Sequence, residues 1–207
     1  MICEAVVNGV ELSFETSGAV FSPGCVDRGT LAMLAAVDFS GDSGVLSTSD
    51  SSGVLDSPRG VKLLDLGCGY GVVGIYAAKL IGGQNVFMSD IDARCISLSE
   101  KNAARNTVSG VSFILSDGFK NINEKDFTLI LSNPPYHADF SIPKHFIEKG
   151  FNRLAVGGRM LMVTKRKDWY KNKLAAVFGG VRVTETDGYF VFDAEKRGLN
   201  YANKKRR

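Results

Sequence analysis

No stretch of these 207 residues approaches the ~18 consecutive apolar side chains that a membrane-crossing helix needs. Nor does the amino-terminal segment show a basic patch followed by an apolar run, so no secretory leader is expected. Cysteine and histidine are scarce, at four and two. The cysteines, at positions 3, 25, 68 and 95, form no CxxC pair and no zinc-like grouping with His137 and His145. Four free thiols in a reducing cytoplasm are therefore expected, and metal catalysis is not.

Charge of neither sign dominates, since the net value is only +3, but its distribution is uneven. Residues 1–60 hold 2 basic and 8 acidic side chains, residues 61–140 hold 7 and 8, and residues 141–207 hold 16 and 6. A local excess of that size beside a cleft would attract a polyanion, in a salt-sensitive way. A solvated surface ending in a disordered basic tail, Lys204 to Arg207, would produce the same count.

The chain begins with AVVNGVELSF, residues 5–14, in which Asn8-Gly9 divides two β-prone runs and predicts a tight hairpin. The segment FSPGCVDRGT then runs into LAMLAAV, a helix that Asp27 or Thr30 could cap. Residues 40–59, rich in Ser, Gly and Asp, read as a mobile loop. From Val61 short apolar runs alternate with amphipathic segments. The strands are VKLLDL, NVFMSD, VSFILSD, FTLILSN and GRMLMVT; the helices are VVGIYAAKL, ARCISLSEKNAARN, IPKHFIEKGFNRLA and WYKNKLAAVF. VRVTET and YFVFDA close the pattern as an antiparallel pair. The class is α/β: a doubly wound, Rossmann-like, mainly parallel sheet. The expected divisions are 1–39 (hairpin and helix), 40–59 (loop), 60–195 (catalytic domain) and 196–207 (basic tail).

The first strand of the main sheet ends in Asp65, Gly67, Gly69 and Gly71, with Gly74 three residues on. Glycine there lets the backbone turn sharply and approach a ligand closely. The next helix aims its amino-terminal amides at the same crevice. Asp90 ends the second strand, where a carboxylate can accept from two ribose hydroxyls. The glycine spacing is also literally GxGxxG with an acid about 20 residues on, as in nicotinamide-binding folds, so spacing alone leaves two cofactors open. Asp65 favours a cofactor with an ammonium and a sulfonium, because a pyrophosphate would be repelled. Asp117, at the end of the third strand, could accept from an adenine amine; Asp92 reads as a helix cap.

FTLILSN runs directly into Asn133-Pro134-Pro135-Tyr136, at the carboxyl end of a sheet strand where such folds bind ligands. An amine conjugated to a ring or carbonyl is a weak nucleophile. The Asn133 oxygen and the Pro134 carbonyl could each accept one of its hydrogens and turn its lone pair towards a methyl donor. Proline's locked φ holds that carbonyl in place, and Tyr136 could stack on a planar acceptor. No strong base is needed, so the acceleration would be mostly positioning.

Together DLGCGYG, SDID, LSD and NPPY resemble class I S-adenosylmethionine-dependent methyltransferases, in particular the methyltransferase small group. That group is similar to the ribosomal small-subunit RNA guanine-N2 methyltransferases and small archaeal homologues. FSPGCVDRGT and GYFVF extend the likeness from Phe14 to about Phe192. The resemblance implies S-adenosylmethionine as cofactor, with Asp65, Gly67, Gly69 and Gly71 at its methionine part. Asp90, with Ile91 beside it, would hold the ribose, Asp117 the adenine and Asn133 the acceptor amine. Asp27 to Thr30 would line the pocket from the amino-terminal side. The duplicated amino-terminal half common in bacterial members of the RNA-specific group is missing here.

The expected substrate is an exocyclic base amine of RNA, guanine N2 of ribosomal RNA in the first instance, free or in an assembling subunit. Adenine or protein glutamine would suit the same tetrapeptide, although a hairpin plus one helix speaks against the glutamine enzymes. A nicotinamide oxidoreductase and a non-catalytic RNA-binding module stand as readings of a different class. Lys165, Arg166 and Lys167 could meet phosphates beside the cleft, or simply begin a solvated helix. Trp169 and Tyr170 could stack on a flanking base, but core packing is the commoner use of such residues. The expected location is the cytoplasm, with no membrane partner.

Overall fold

All four side chains of the strand Leu63–Leu66 are buried, and a strand covered on both faces requires a layer above and a layer below. The computed structural model describes residues 1–18, 26–39, 60–135 and 139–202. The expected loop over 40–59, Cys25, Tyr136, His137 and the tail residues 203–207 lie outside the described residues.

In chain order the elements are β1 (Ile2–Val7), β2 (Val10–Glu15), α1 (Arg28–Ala36), β3 (Leu63–Leu66), α2 (Val72–Ile81), β4 (Val86–Asp90) and α3 (Ala93–Arg105). There follow β5 (Ser112–Leu115), β6 (Phe127–Ser132), α4 (Ser141–Arg153), β7 (Leu154–Thr164), α5 (Lys167–Phe178), β8 (Arg182–Thr186) and β9 (Tyr189–Glu195). The main sheet has the order β5-β4-β3-β6-β7-β9-β8. Its first five strands are parallel, and β9 runs antiparallel to both β7 and β8.

Period-two alternation sorts the sheet's side chains between two cores. Leu63, Leu129, Leu131, Leu161 and Val163 face the helices α1, α2 and α3. Their neighbours Leu64, Ile130, Met160 and Met162 face α4 and α5. The strand order reverses between β3 and β6, which opens a crevice at their carboxyl ends.

One boundary differs from the pattern-based expectation. Leu154 and Ala155, read as the end of a helix, begin β7 instead. Leu154 pairs with Phe127 across the sheet, and its carbonyl accepts from the Lys196 ammonium at 2.6 Å. Sheet pairing here overrides a helical pattern.

The amino-terminal hairpin turns at Asn8 and Gly9, with φ of 47° and 84°, as a two-residue turn matched to strand twist requires. The free edge of β2 is met by two side chains one helical turn apart, one on α3 and one on the residue that caps its end. The Asn102 amide accepts from the Glu15 N–H (2.7 Å) and donates to the Glu15 carbonyl (3.0 Å), and Asn106 does the same with Ser13. Asn102 also donates to the Tyr70 carbonyl at 2.8 Å, joining the hairpin to the glycine turn. Asn102→Ala, which leaves these groups without partners, is expected to lower unfolding free energy by about 2–4 kcal/mol in urea titration. A change below ~1 kcal/mol would show the hairpin to be held by its apolar face alone.

Candidate active site

The carboxyl ends of β3, β4, β5 and β6 surround a cavity of about 360 Å³. Gly67, Gly69 and Gly71 have φ of 79°, 57° and 102°, so the turn after β3 is left-handed three times over. A Cβ on Gly67 or Gly69 would meet no atom within 4 Å. Backbone conformation is therefore what demands glycine there. The Gly67 and Cys68 amides both donate to the Ser89 carbonyl, at 2.8 and 2.9 Å, tying the turn to β4. At Gly74 the constraint is space, since a Cβ would lie 2.5 Å from Met88.

Asp65 is 2% exposed and accepts from the Gly74 N–H at 2.8 Å. It thus engages one of the α2 amides that the sequence offers to a ligand. Burial pushes its carboxyl up to about 7, the Gly74 bond draws it down, and the Asp90 charge raises it further. Asp90 accepts from the amides of Gly69 and Asp92, both at 2.9 Å, which fixes its carboxylate at the end of β4. Burial also raises its pKa, against the pull of those amides. Asp92 caps α3 as expected, accepting from the Arg94 N–H at 2.8 Å.

Asp117 and the 68%-exposed Ile91 line the cavity. Ile142 and Phe146 of α4 add an apolar wall that the sequence reading did not assign. Their i, i+4 spacing was the available signal.

Asn133 follows β6, whose last residue, Ser132, donates its hydroxyl to the Leu66 carbonyl at 2.8 Å. The Asn133 amide nitrogen donates to the Asp27 carboxylate at 3.0 Å and to the Thr30 hydroxyl at 2.9 Å. A carboxylate only accepts, so this contact determines which way the amide faces. Its oxygen is left buried with no hydrogen-bond partner. Asp27 also caps α1 through the Thr30 N–H (3.0 Å) and accepts from the Tyr189 hydroxyl at 3.3 Å. Pro134 and Pro135 line the same cavity; Tyr136 lies outside the described residues.

Among the described residues the buried side-chain oxygens without a partner are those of Tyr70, Ser89 and Asn133. All three residues line this cavity. Such orphans are uncommon in folded proteins, and three in one apolar crevice fit a polar ligand that completes them. Burial pushes the Tyr70 hydroxyl up to about 12, with the Asp27 charge adding to it. Tyr70→Phe is expected to preserve or raise the melting temperature, because no existing bond is lost. Cofactor affinity should fall about 5- to 20-fold in calorimetry, the worth of one hydrogen bond. Unchanged affinity would remove Tyr70 from the binding set.

Lys165, Arg166 and Lys167 stand apart from the cavity lining, each over an aromatic ring. The Lys165 ammonium sits 4.8 Å from the Tyr189 ring centre, the Arg166 guanidinium 4.9 Å from Phe140, and the Lys167 ammonium 5.0 Å from Phe190. Lys167 also lies 3.9 Å from Glu185. Tyr170 is buried and stacked on Phe192, and Trp169 stacks on Phe140 at 4.5 Å between ring centres. Cys68 and Cys95 are free and buried, whereas Cys3 is disulfide-bonded, a correction to the expectation of four free thiols. Among the described residues no group of three His, Cys, Asp or Glu could hold a metal ion, and no helix is long and apolar enough to cross a membrane.

Residues 11–193 match the methyltransferase small domain family. Over 171 residues the chain is 31% identical to YbxB of Bacillus subtilis, itself uncharacterized, covering 76% of this chain and 85% of that protein. It is 35% identical over 137 residues to ribosomal RNA small subunit methyltransferase C of Haemophilus ducreyi, covering 64% of this chain and 41% of the relative. Among solved structures it superposes on the T. thermophilus 16S rRNA N2 G1207 methyltransferase RsmC in complex with AdoMet and guanosine. The TM-score is 0.76 at 26% identity, over 95% of this chain and 50% of the other. The chain thus spans half or less of these ribosomal enzymes while spanning most of YbxB. Of the two cofactors that the glycine spacing left open, S-adenosylmethionine is therefore the one implied, and the chain belongs to the methyltransferase small domain family of S-adenosylmethionine-dependent methyltransferases.

Proposed function

We propose that the chain methylates an exocyclic amine of an RNA base, guanine N2 of ribosomal RNA, in the cytoplasm. One observation carries the reading: the Asn133 oxygen is buried and unpartnered, in an amide whose orientation Asp27 and Thr30 dictate. Such an acceptor beside a rigid proline carbonyl suits the two hydrogens of an NH2 group, whereas a hydroxyl's single hydrogen would leave one of the two without a partner. The T. thermophilus structure, described as bound to AdoMet and guanosine, favours guanine among planar amines.

In this reading Asp65 and the Gly67, Gly69 and Gly71 turn hold the methionine part of the cofactor. Asp90 and Ile91 hold the ribose, Asp117 the adenine, and Thr30 closes the pocket beside Asn133. The cofactor supplies an electrophilic methyl group on a sulfonium. The Asn133 oxygen and the Pro134 carbonyl accept the two amine hydrogens, which directs the nitrogen lone pair into the cavity. Tyr136 stacks on the acceptor ring. The nitrogen grows acidic as it gains carbon and sheds its proton afterwards, so the chain supplies position rather than a base. Lys165 and Arg166 receive phosphates near the acceptor, since Lys165 covers the Tyr189 ring whose hydroxyl holds Asp27.

Incubation with a radiolabelled methyl donor and either total RNA or small-subunit assembly particles tests this directly. Digestion to nucleosides should yield labelled N2-methylguanosine. Label in N6-methyladenosine, or in protein glutamine, would replace guanine with that acceptor. No label in any fraction, with the cofactor bound, would leave a binding module.

A further inference from the structure

We propose that a groove beside α4 binds the phosphodiester backbone of single-stranded RNA flanking the acceptor base; this rests on the RNA reading above. The groove has a volume of about 860 Å³ and lies between α4 and the connection from β5 to β6. It joins the cofactor cavity, because Asp117, Ile142 and Phe146 line both. A strand whose base enters the cavity therefore has a walled path leading away from it.

The charge of that path is one-sided. Lys120, Lys125, Lys149 and Arg153 line it against a single acid, Asp117. That local balance of +3 equals the net charge of the whole chain. The nearest acid on the helix, Glu148, is engaged by Lys173. Glu124 and Asp126 flank Lys125 in sequence but do not line the groove. Among the described residues, Lys120, Lys125, Lys149 and Arg153 take part in no ion pair.

Arg153 differs from the lysines in having a structural task. Its guanidinium donates to the carbonyls of Asn123 and Glu124, both at 3.1 Å, and so pins the β5–β6 connection as the groove's wall. The three lysines are exposed. Ammonium groups on flexible stems follow a backbone of point charges without requiring one fixed geometry. Phe146, only partly buried, sits among them as an apolar face on which a base can lie, with the buried Phe119 behind it. Cations that track phosphates beside an accessible ring suit sequence-tolerant single-strand binding. The acceptor base must in any case be unpaired to reach Asn133.

The test uses the full chain with saturating S-adenosylmethionine and a fluorescein-labelled oligouridylate roughly 20 nucleotides long, followed by anisotropy between about 0.05 and 0.2 M salt. The variant is Lys120→Ala/Lys125→Ala/Lys149→Ala. Its charge-matched control is Lys79→Ala/Lys101→Ala/Arg105→Ala, on the exposed faces of α2 and α3. The groove variant should bind at least tenfold more weakly near ~0.1 M salt, with a salt slope lower by about 2. The control should stay within about twofold, and both should keep wild-type affinity for the cofactor. Equal loss in the two variants, or none in either, overturns the groove while RNA as substrate survives. Failure of the wild type to bind any RNA overturns both proposals. Loss of polyglutamate binding in the groove variant, with RNA binding intact, would assign the groove to an acidic protein instead.

Discussion

Asn133→Ala is expected to lower the rate of methyl transfer by about 10²–10³-fold while S-adenosylmethionine binds within threefold of wild type. The magnitude follows from removing a preorganised polar atom at the reacting centre, and the split from where that atom stands. The Asn133 oxygen has no partner in the protein, so the internal bonds lost are those of its NH2 to Asp27 and Thr30, which lowers stability and leaves the turn after β3 untouched. The loss should fall on kcat, read by single-turnover transfer to RNA, with cofactor affinity read separately by calorimetry. A parallel fall in both would make Asn133 part of the cofactor's seat rather than the acceptor's.

The same geometry makes Asp27 a positioning residue with its own signature. Asparagine caps a helix as well as aspartate does, so Asp27→Asn should leave the melting temperature nearly unchanged. It nevertheless removes the carboxylate that fixes which way the Asn133 amide faces. The amide at 133 can then face either way, and kcat should drop about tenfold with cofactor affinity preserved, well within what small misplacements cost. A merely structural Asp27 would show the opposite pattern, lost stability with the rate intact.

Local chemistry was legible in the sequence, and contacts between distant segments were not. Strand-to-helix alternation from Val61 onward located the sheet because its inner strands, such as β3 and β6, bury both faces. Asp65 and its glycines marked the turn after β3 because glycine takes positive φ, found at 67, 69 and 71, at least cost. The pairing of Asn133 with Asp27 spans 106 residues. In the sequence Asp27 carried a capping signal, which is also true of it, and a place beside the pocket through the family resemblance, but no link to Asn133. Asp65 shows the reverse: the sequence reads it as a ligand's countercharge, and what the fold shows is its carboxylate accepting from the Gly74 N–H. Tyr70, within the glycine run, left no signal, since an aromatic there predicts core packing and only the fold reveals its orphaned hydroxyl. The asparagines at 102 and 106 were equally silent, because a polar i, i+4 pair normally marks a solvated face, whereas these two are buried against β2.

Asp65→Asn is the second large effect, and it should act in opposite directions on stability and on binding. An unfolded Asp65 ionises near its ordinary value of 3.8, while the folded carboxyl holds its proton up to about 7. Between those values the unfolded state binds fewer protons, so this residue's contribution makes stability fall as pH rises from about 4 to about 7, and level off above. Asparagine removes that cost and can still accept from Gly74, so the variant without cofactor should melt higher than wild type at pH 8. Binding runs the other way. A cationic ligand favours the ionised carboxyl, so association below pH ~7 must release the Asp65 proton, and affinity should climb with pH to about 7 and then flatten. In the variant, affinity at pH 8 should fall about 10- to 100-fold, the worth of one partly buried charge pair, and this part of the pH dependence should vanish. The ligand's own amine titrates identically against both proteins and cancels in the comparison. Calorimetry in two buffers of different ionisation enthalpy reads the released proton directly. Equal proton release by wild type and variant would show that Asp65 meets no positive charge and serves only to cap α2.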